Sequence, residues 1–167
     1  MQKWEINRRN LLAGFGSSFA LLGLTGCGSS PARAGSFPVE FSESEWRTRL
    51  TDEQYYILRE AGTERRYTSP LNEEKRDGTY HCAGCQSLLY SSETKYESGT
   101  GWPAFWRAEP ESVATSIDYK LGFPRTEVHC ANCGGHLGHI FSDGPPPTGK
   151  RHCINGLAME FKPIDLS

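Results

Sequence analysis

A mainly β, antiparallel domain is the fold class that this 167-residue sequence predicts. Three observations carry that expectation. Eighteen glycines and ten prolines punctuate the chain, and both residues interrupt regular structure. From Thr79 onward, the segments between those breaks are short and rich in aromatic and β-branched residues, as strands are. Length and a hydrophobic content of 37% suit one domain with a soluble core. The net charge of −2 excludes nucleic acid as the main partner, because neutralising phosphates takes a basic surface.

The elements follow in chain order. Residues 1–26 read as an export signal and stand outside the fold. Arg8 and Arg9 form a paired basic region, and Leu11 to Leu24 is apolar and small but too short and glycine-rich for a membrane span. The run "LTGC" closes it at Cys27. It resembles a bacterial lipoprotein signal, in which cleavage leaves Cys27 as the lipidated first residue. "RRNLL" also resembles a twin-arginine signal, which exports folded proteins; a plain membrane anchor is the other reading. Residues 27–40 are rich in Gly, Ser and Pro and suit a flexible tether. The domain then occupies residues 41–167. The expected location is the bacterial cell envelope, lipid-anchored through Cys27, facing the periplasm or the exterior.

"LTDEQYYILREAG", residues 50–62, predicts a helix. Thr51 is its N-cap, Gln54 the capping-box partner and Gly62 the stop. Leu50, Tyr55, Leu58 and Ala61 form the expected buried stripe. "TYHC", "SLLYSS", "AFWRAE", "VATSIDYKLG", "RTEVHC", "HLGHIFS" and "RHCINGLAMEF" follow as short strands and loops. "DGPPPTGK", residues 143–150, is a loop, since its prolines cannot serve a central strand.

"YHCAGC" and "VHCANC" are near copies, 48 residues apart. They place Cys82, Cys85, Cys130 and Cys133 in two CxxC turns. Two such turns offer four thiolates to one ion, the pattern of structural zinc. Two disulfides, or iron in a four-sulfur site, are the competing readings. Zinc loaded before export would protect these thiols from oxidation outside the cytosol.

Cys153 is left over. As a small buried hydrophobe it would be ordinary. Lys150, Arg151 and His152 make its approach electropositive, which favours the thiolate. If the segment is a strand, Arg151, Cys153 and Asn155 share one face and His152 points to the other. A proton partner must then come from elsewhere, and "GGHLGHIFSDG" offers His136 and His139. "SGTGWPAFW" adds Trp102, Phe105 and Trp106, aromatics that serve either the core or the wall of an apolar pocket.

These motifs carry a family resemblance. "CAGC", "SGTGWPAFW", "CANCGGHLGHIFSDGPPPTGKRHCIN" and "LAMEF" together resemble the methionine-(R)-sulfoxide reductase B family across nearly all of residues 41–167. The resemblance implies an antiparallel β-tent with short N-terminal helices and one structural zinc ion. It implies Cys153 as nucleophile toward methionine sulfoxide in oxidised proteins. His139 is the expected acid with His136 beside it, while Asn155 and Arg151 orient polar groups. Trp102 is expected against the substrate methyl, with Phe105 and Phe141 lining the same site. Many members carry a second cysteine where this chain has Thr100. The implied cycle therefore runs on one cysteine, through a sulfenic acid that an external thioredoxin-like or glutaredoxin-like thiol reduces. Gly156 stands where the family often has serine. The alternatives are a non-catalytic zinc-binding module of the same fold that recognises a small ligand or peptide, and a thiol peroxidase or redox sensor.

Overall fold

The structure is a computed structural model and describes residues 36–164. The export signal, Cys27 and most of the tether lie outside the described residues. Among the described residues, no helix is long and apolar enough to cross a membrane.

Two helices open the domain. α1, Glu43–Arg49, starts at Ser42, whose hydroxyl and Glu45 form a reciprocal capping box. α2, Asp52–Glu60, starts at Thr51 with Gln54 as partner, the cap read from the sequence. Its end differs from expectation. Ala61, not Gly62, takes the left-handed conformation at φ 51°, and the Lys120 ammonium donates to the carbonyls of Glu60 and Ala61 at 3.1 and 2.9 Å. A side chain at Gly62 would meet the Tyr56 ring. The buried stripe is Tyr55, Ile57 and Leu58, with Leu50 just ahead of the helix.

Nine strands follow among the described residues: β1 Gly78–Cys82, β2 Leu88–Ser91, β3 Lys95–Tyr96, β4 Ala104–Phe105, β5 Val113–Asp118, β6 Arg125–Cys130, β7 His136–Phe141, β8 Arg151–Ile154 and β9 Met159–Pro163. They form two antiparallel sheets, ordered β2-β1-β9 and β3-β4-β8-β7-β6-β5. "RTEVHC" is β6 as read from the sequence. "RHCINGLAMEF" is not one strand. It breaks at Asn155 into β8 of the large sheet and β9 of the small one, joined by a 3-10 turn at Gly156–Ala158. "AFWRAE" contributes only two strand residues, and β3 was not anticipated. The core lies between the sheets and α2, built on Ile57, Leu58, Tyr80, Leu89, Tyr90, Phe105, Val128, Leu137 and Ile154.

The large sheet aligns one row of residues across all six strands. Tyr96 pairs with Ala104, Ala104 with Cys153, and Cys153 with His139. His139 pairs with Glu127, and Glu127 with Ser116. Directly opposed residues in an antiparallel ladder project from the same face. A polar row therefore crosses the sheet, with the small Ala104 as its one apolar member.

Candidate active site

The two CxxC turns join the sheets. Cys82 ends β1 and Cys130 ends β6, and each turn supplies a second cysteine. All four Sγ atoms lie within 4.8 Å of one another. Cys82 to Cys133 is 3.7 Å and Cys85 to Cys130 is 3.5 Å. Zinc–sulfur bonds of about 2.3 Å in a tetrahedron separate the sulfurs by about 3.8 Å. The donor set and spacing therefore fit a four-thiolate zinc ion. The cysteines are free thiols and not disulfides.

Cys153 lies on β8, half-buried, with its backbone paired to Ala104 and His139. The Thr100 hydroxyl lies 3.9 Å from its Sγ. Thr100 is held in turn by the Ser98 hydroxyl at 2.8 Å. The Ile154 amide donates to the Pro103 carbonyl at 3.0 Å, which ties the Gly-Trp-Pro turn to the strand of the nucleophile. Burial pushes the Cys153 thiol above its ordinary value, and Thr100 and Arg151 only partly offset this. The electropositive approach expected from sequence is thus weaker than expected. His152 turns into the core against the Tyr90 hydroxyl at 3.2 Å. Burial and the nearby Lys150 charge hold its pKa down at about 4, so it is neutral. Arg151 is the cation that remains on the site face. It grips the Asp143 carboxylate with two hydrogen bonds of 2.9 Å and covers the Phe141 ring at 4.3 Å.

The two histidines each have a carboxylate. His139 Nε2 donates to Asp118 on β5 at 2.8 Å, and Arg125 pairs with the same carboxylate. His136 Nδ1 donates to Glu127 on β6 at 2.6 Å, and the Ser116 hydroxyl donates to the other Glu127 oxygen at 2.7 Å. The imidazole centroids are 5.3 Å apart. Burial lowers the His139 pKa more than Asp118 raises it, which leaves a neutral ring. For Asp118, burial works upward, but the Lys120 amide, His139 and Arg125 outweigh it and hold the carboxyl at about 2.

The remaining expected site residues are Phe105, Asn155, Phe141 and Trp102. Phe105 is fully buried, stacked on Tyr90 at 4.3 Å and edge-on to Tyr80 at 4.9 Å. It pairs with His152, so alternation turns it to the core side of the sheet. Asn155 is past the end of β8. Its carbonyl oxygen accepts from the Glu64 amide at 3.0 Å and its amide donates to the Leu137 carbonyl at 2.9 Å. It braces neighbouring backbone just beyond the strand of Cys153. Phe141 sits at the rim, 36% exposed. Trp102 is part-buried and its indole N–H donates to the Glu64 carbonyl at 3.2 Å.

Glu64 was not anticipated. Its buried carboxylate accepts the Gly156 and Leu157 amides, and so caps the turn that Asn155 leaves uncapped. A side chain at Gly156 would run into Ser69. Asp118, Glu127 and Asp143 were also missed. Glu127 has a local signal: in "RTEVHC", Arg125 and Glu127 put charge at alternate positions of a strand whose last four residues are buried.

Comparison with known proteins agrees with this geometry. The SelR domain family matches residues 50–163. A peptide methionine sulfoxide reductase MsrB of Agrobacterium fabrum is 51% identical over 127 residues, covering 75% of this chain and 94% of its own length. A protein of the same name from Pseudomonas putida is 52% identical over 128 residues, 76% of this chain and 96% of its own. The chloroplastic peptide methionine sulfoxide reductase B1 of Arabidopsis thaliana is 48% identical over 128 residues, 76% of this chain and 63% of its own. With a domain match over most of its length, a mainly antiparallel fold and a four-cysteine cluster, the chain belongs to the SelR domain family, the methionine-(R)-sulfoxide reductase B family.

Proposed function

We propose that this protein reduces the R epimer of methionine sulfoxide in oxidised proteins, with Cys153 as nucleophile and His139 as proton carrier, and so repairs oxidative damage. One observation carries the residue assignment. Cys153 is directly opposed to His139 on adjacent strands, and His139 is anchored from behind by Asp118.

The resting site holds a neutral thiol and a neutral imidazole. One proton therefore suffices for the first step. It leaves Cys153, passes by way of His139 Nδ1, the nitrogen not committed to Asp118, and ends on the sulfoxide oxygen. The Cys153 thiolate bonds the sulfoxide sulfur, the oxygen moves to the cysteine sulfur, and methionine leaves as the thioether. Cys153 is oxidised by two electrons to the sulfenic acid and the substrate sulfur is reduced by two. A first external thiol condenses with the sulfenic acid, releasing water and forming a mixed disulfide. A second thiol frees Cys153 and carries the disulfide away. Thr100 supplies no sulfur for an internal bond, and the other described cysteines form the metal cluster, so the reductant is external: a thioredoxin-like or glutaredoxin-like protein. Trp102 walls the methyl group, where thioether–aromatic contact adds about 0.3–1.5 kcal/mol. Cys82, Cys85, Cys130 and Cys133 would hold a zinc ion, which would supply a cross-link between the two sheets.

The protein works in the cell envelope, lipid-anchored at Cys27; the Arg8-Arg9 pair, the apolar run and "LTGC" support this. The non-catalytic alternative has no observation in its favour. Turnover of separated R and S epimers with a thiol reductant tests the activity, and Cys153→Ser should abolish it while zinc content stays unchanged. Mass spectrometry after one equivalent of substrate should show a single oxygen on Cys153 and no new internal disulfide. Retained activity in Cys153→Ser would defeat the assignment.

A further inference from the structure

The hydroxyl of Tyr96 is buried, and among the described residues it has no hydrogen-bond partner. Buried hydroxyls without partners are uncommon, since stripping one of water costs about 1–3 kcal/mol. Its position gives a reason. Tyr96 pairs with Ala104, which pairs with Cys153, so tyrosine and cysteine lie in one row on one face with only an alanine methyl between them. Arg151, Asp143 and Cys153 are the titratable groups that act on the phenol, in keeping with that position. Burial keeps the phenol above its ordinary pKa, so it holds its proton and stays a donor. Resting Cys153 carries no oxygen for it to meet. The sulfoxide brings one, and the sulfenic acid retains it.

We infer that Tyr96 is a further catalytic residue: its hydroxyl donates a hydrogen bond to the oxygen carried first by the substrate sulfur and then by Cys153. The donation moves no electrons and the phenol gives up no proton. It favours the oxygen as negative charge gathers there during transfer, before protonation is complete. The inference rests on Cys153 being the nucleophile.

Tyr96→Phe tests it with the full-length, zinc-loaded protein. The single-turnover rate of sulfenic acid formation from the R-sulfoxide should fall about tenfold, the scale of one lost hydrogen bond in a transition state, with KM within twofold. Alkylation of Cys153 by iodoacetamide, which brings no oxygen to the sulfur at the point of attack, should stay within twofold. The melting temperature should not drop, because an unpartnered hydroxyl holds nothing together. Tyr80→Phe is the control: it removes another buried hydroxyl without a described partner, on β1 of the other sheet, and should change none of these rates. A Tyr96→Phe sulfoxide rate within twofold of wild type would overturn the inference. So would sulfoxide reduction and alkylation falling together, which would make Tyr96 a packing residue. Wild-type protein that forms no sulfenic acid in the same assay would instead sink the nucleophile assignment.

Discussion

Cys153 feels two opposed influences, and their balance decides how it reacts. Burial disfavours its charged form, while Arg151 and the Thr100 hydroxyl favour it; burial prevails and the thiol sits above its ordinary value. Below that value, the thiolate fraction climbs roughly tenfold with each pH unit. Alkylation of the free enzyme at Cys153, followed by peptide mass spectrometry, should therefore rise log-linearly from pH 6 to pH 8 without a plateau. Arg151→Met should slow it further at pH 8. A plateau near neutrality would mean that the thiolate is already formed. Asp118 makes a second prediction at this scale. It is ionised throughout the working range, so it fixes which His139 nitrogen carries the resting proton. Asp118→Asn should lower kcat about tenfold, the low end of what a misplaced proton carrier costs, and leave KM little changed. The loss of its charge removes an influence that raises the His139 pKa, so the acid limb of the kcat profile should move to lower pH.

The strands set the spacing of these groups. β7 and β8 approach closely at Gly138, where an added Cβ would collide with the Cys153 carbonyl oxygen. Gly138→Ala should force the two strands apart at a cost of about 1–3 kcal/mol, typical of overpacking. Activity should fall by more than the folded fraction does, because the same displacement separates His139 from Cys153; urea melts alongside turnover would show it. The break at Asn155 matters in the same way. The chain turns through Gly156 under the Glu64 carboxylate, and Asn155 spends both side-chain atoms on neighbouring backbone. The sequence showed alternation up to Ile154, and the Asn155-Gly156 dipeptide is a local turn signal at the bend. The acid that caps the bend lies 92 residues away.

Across the whole molecule, the four-cysteine cluster is the link between the sheets. One CxxC turn follows β1 of the small sheet, and the other joins β6 to β7 of the large one. A structural zinc site is folding free energy. Chelation should therefore lower the melting temperature by about 10 °C or more, the equivalent of several kcal/mol at this chain length. It should also abolish sulfoxide reduction, although none of the four thiols shares the row of Cys153. Thermal melts with chelator, then with zinc restored, would check both effects; an unchanged melt would remove the clamp from the account.

Much was legible without coordinates because it depends on neighbours in the chain. The capping box at Thr51, the strand "RTEVHC", the paired cysteine turns and the histidines of "GGHLGH" are local patterns, set by spacing and residue type. What remained depends on partners far apart in sequence. Phe105 faces the core and not the pocket because its strand pairs with His152, 47 positions on. Asp118 reaches His139, and Tyr96 shares a row with Cys153, only through ladders between distant strands. Sequence determined which chemical groups this protein owns. Folding decided which of them meet, because strand register is a property of pairs and no single strand contains it.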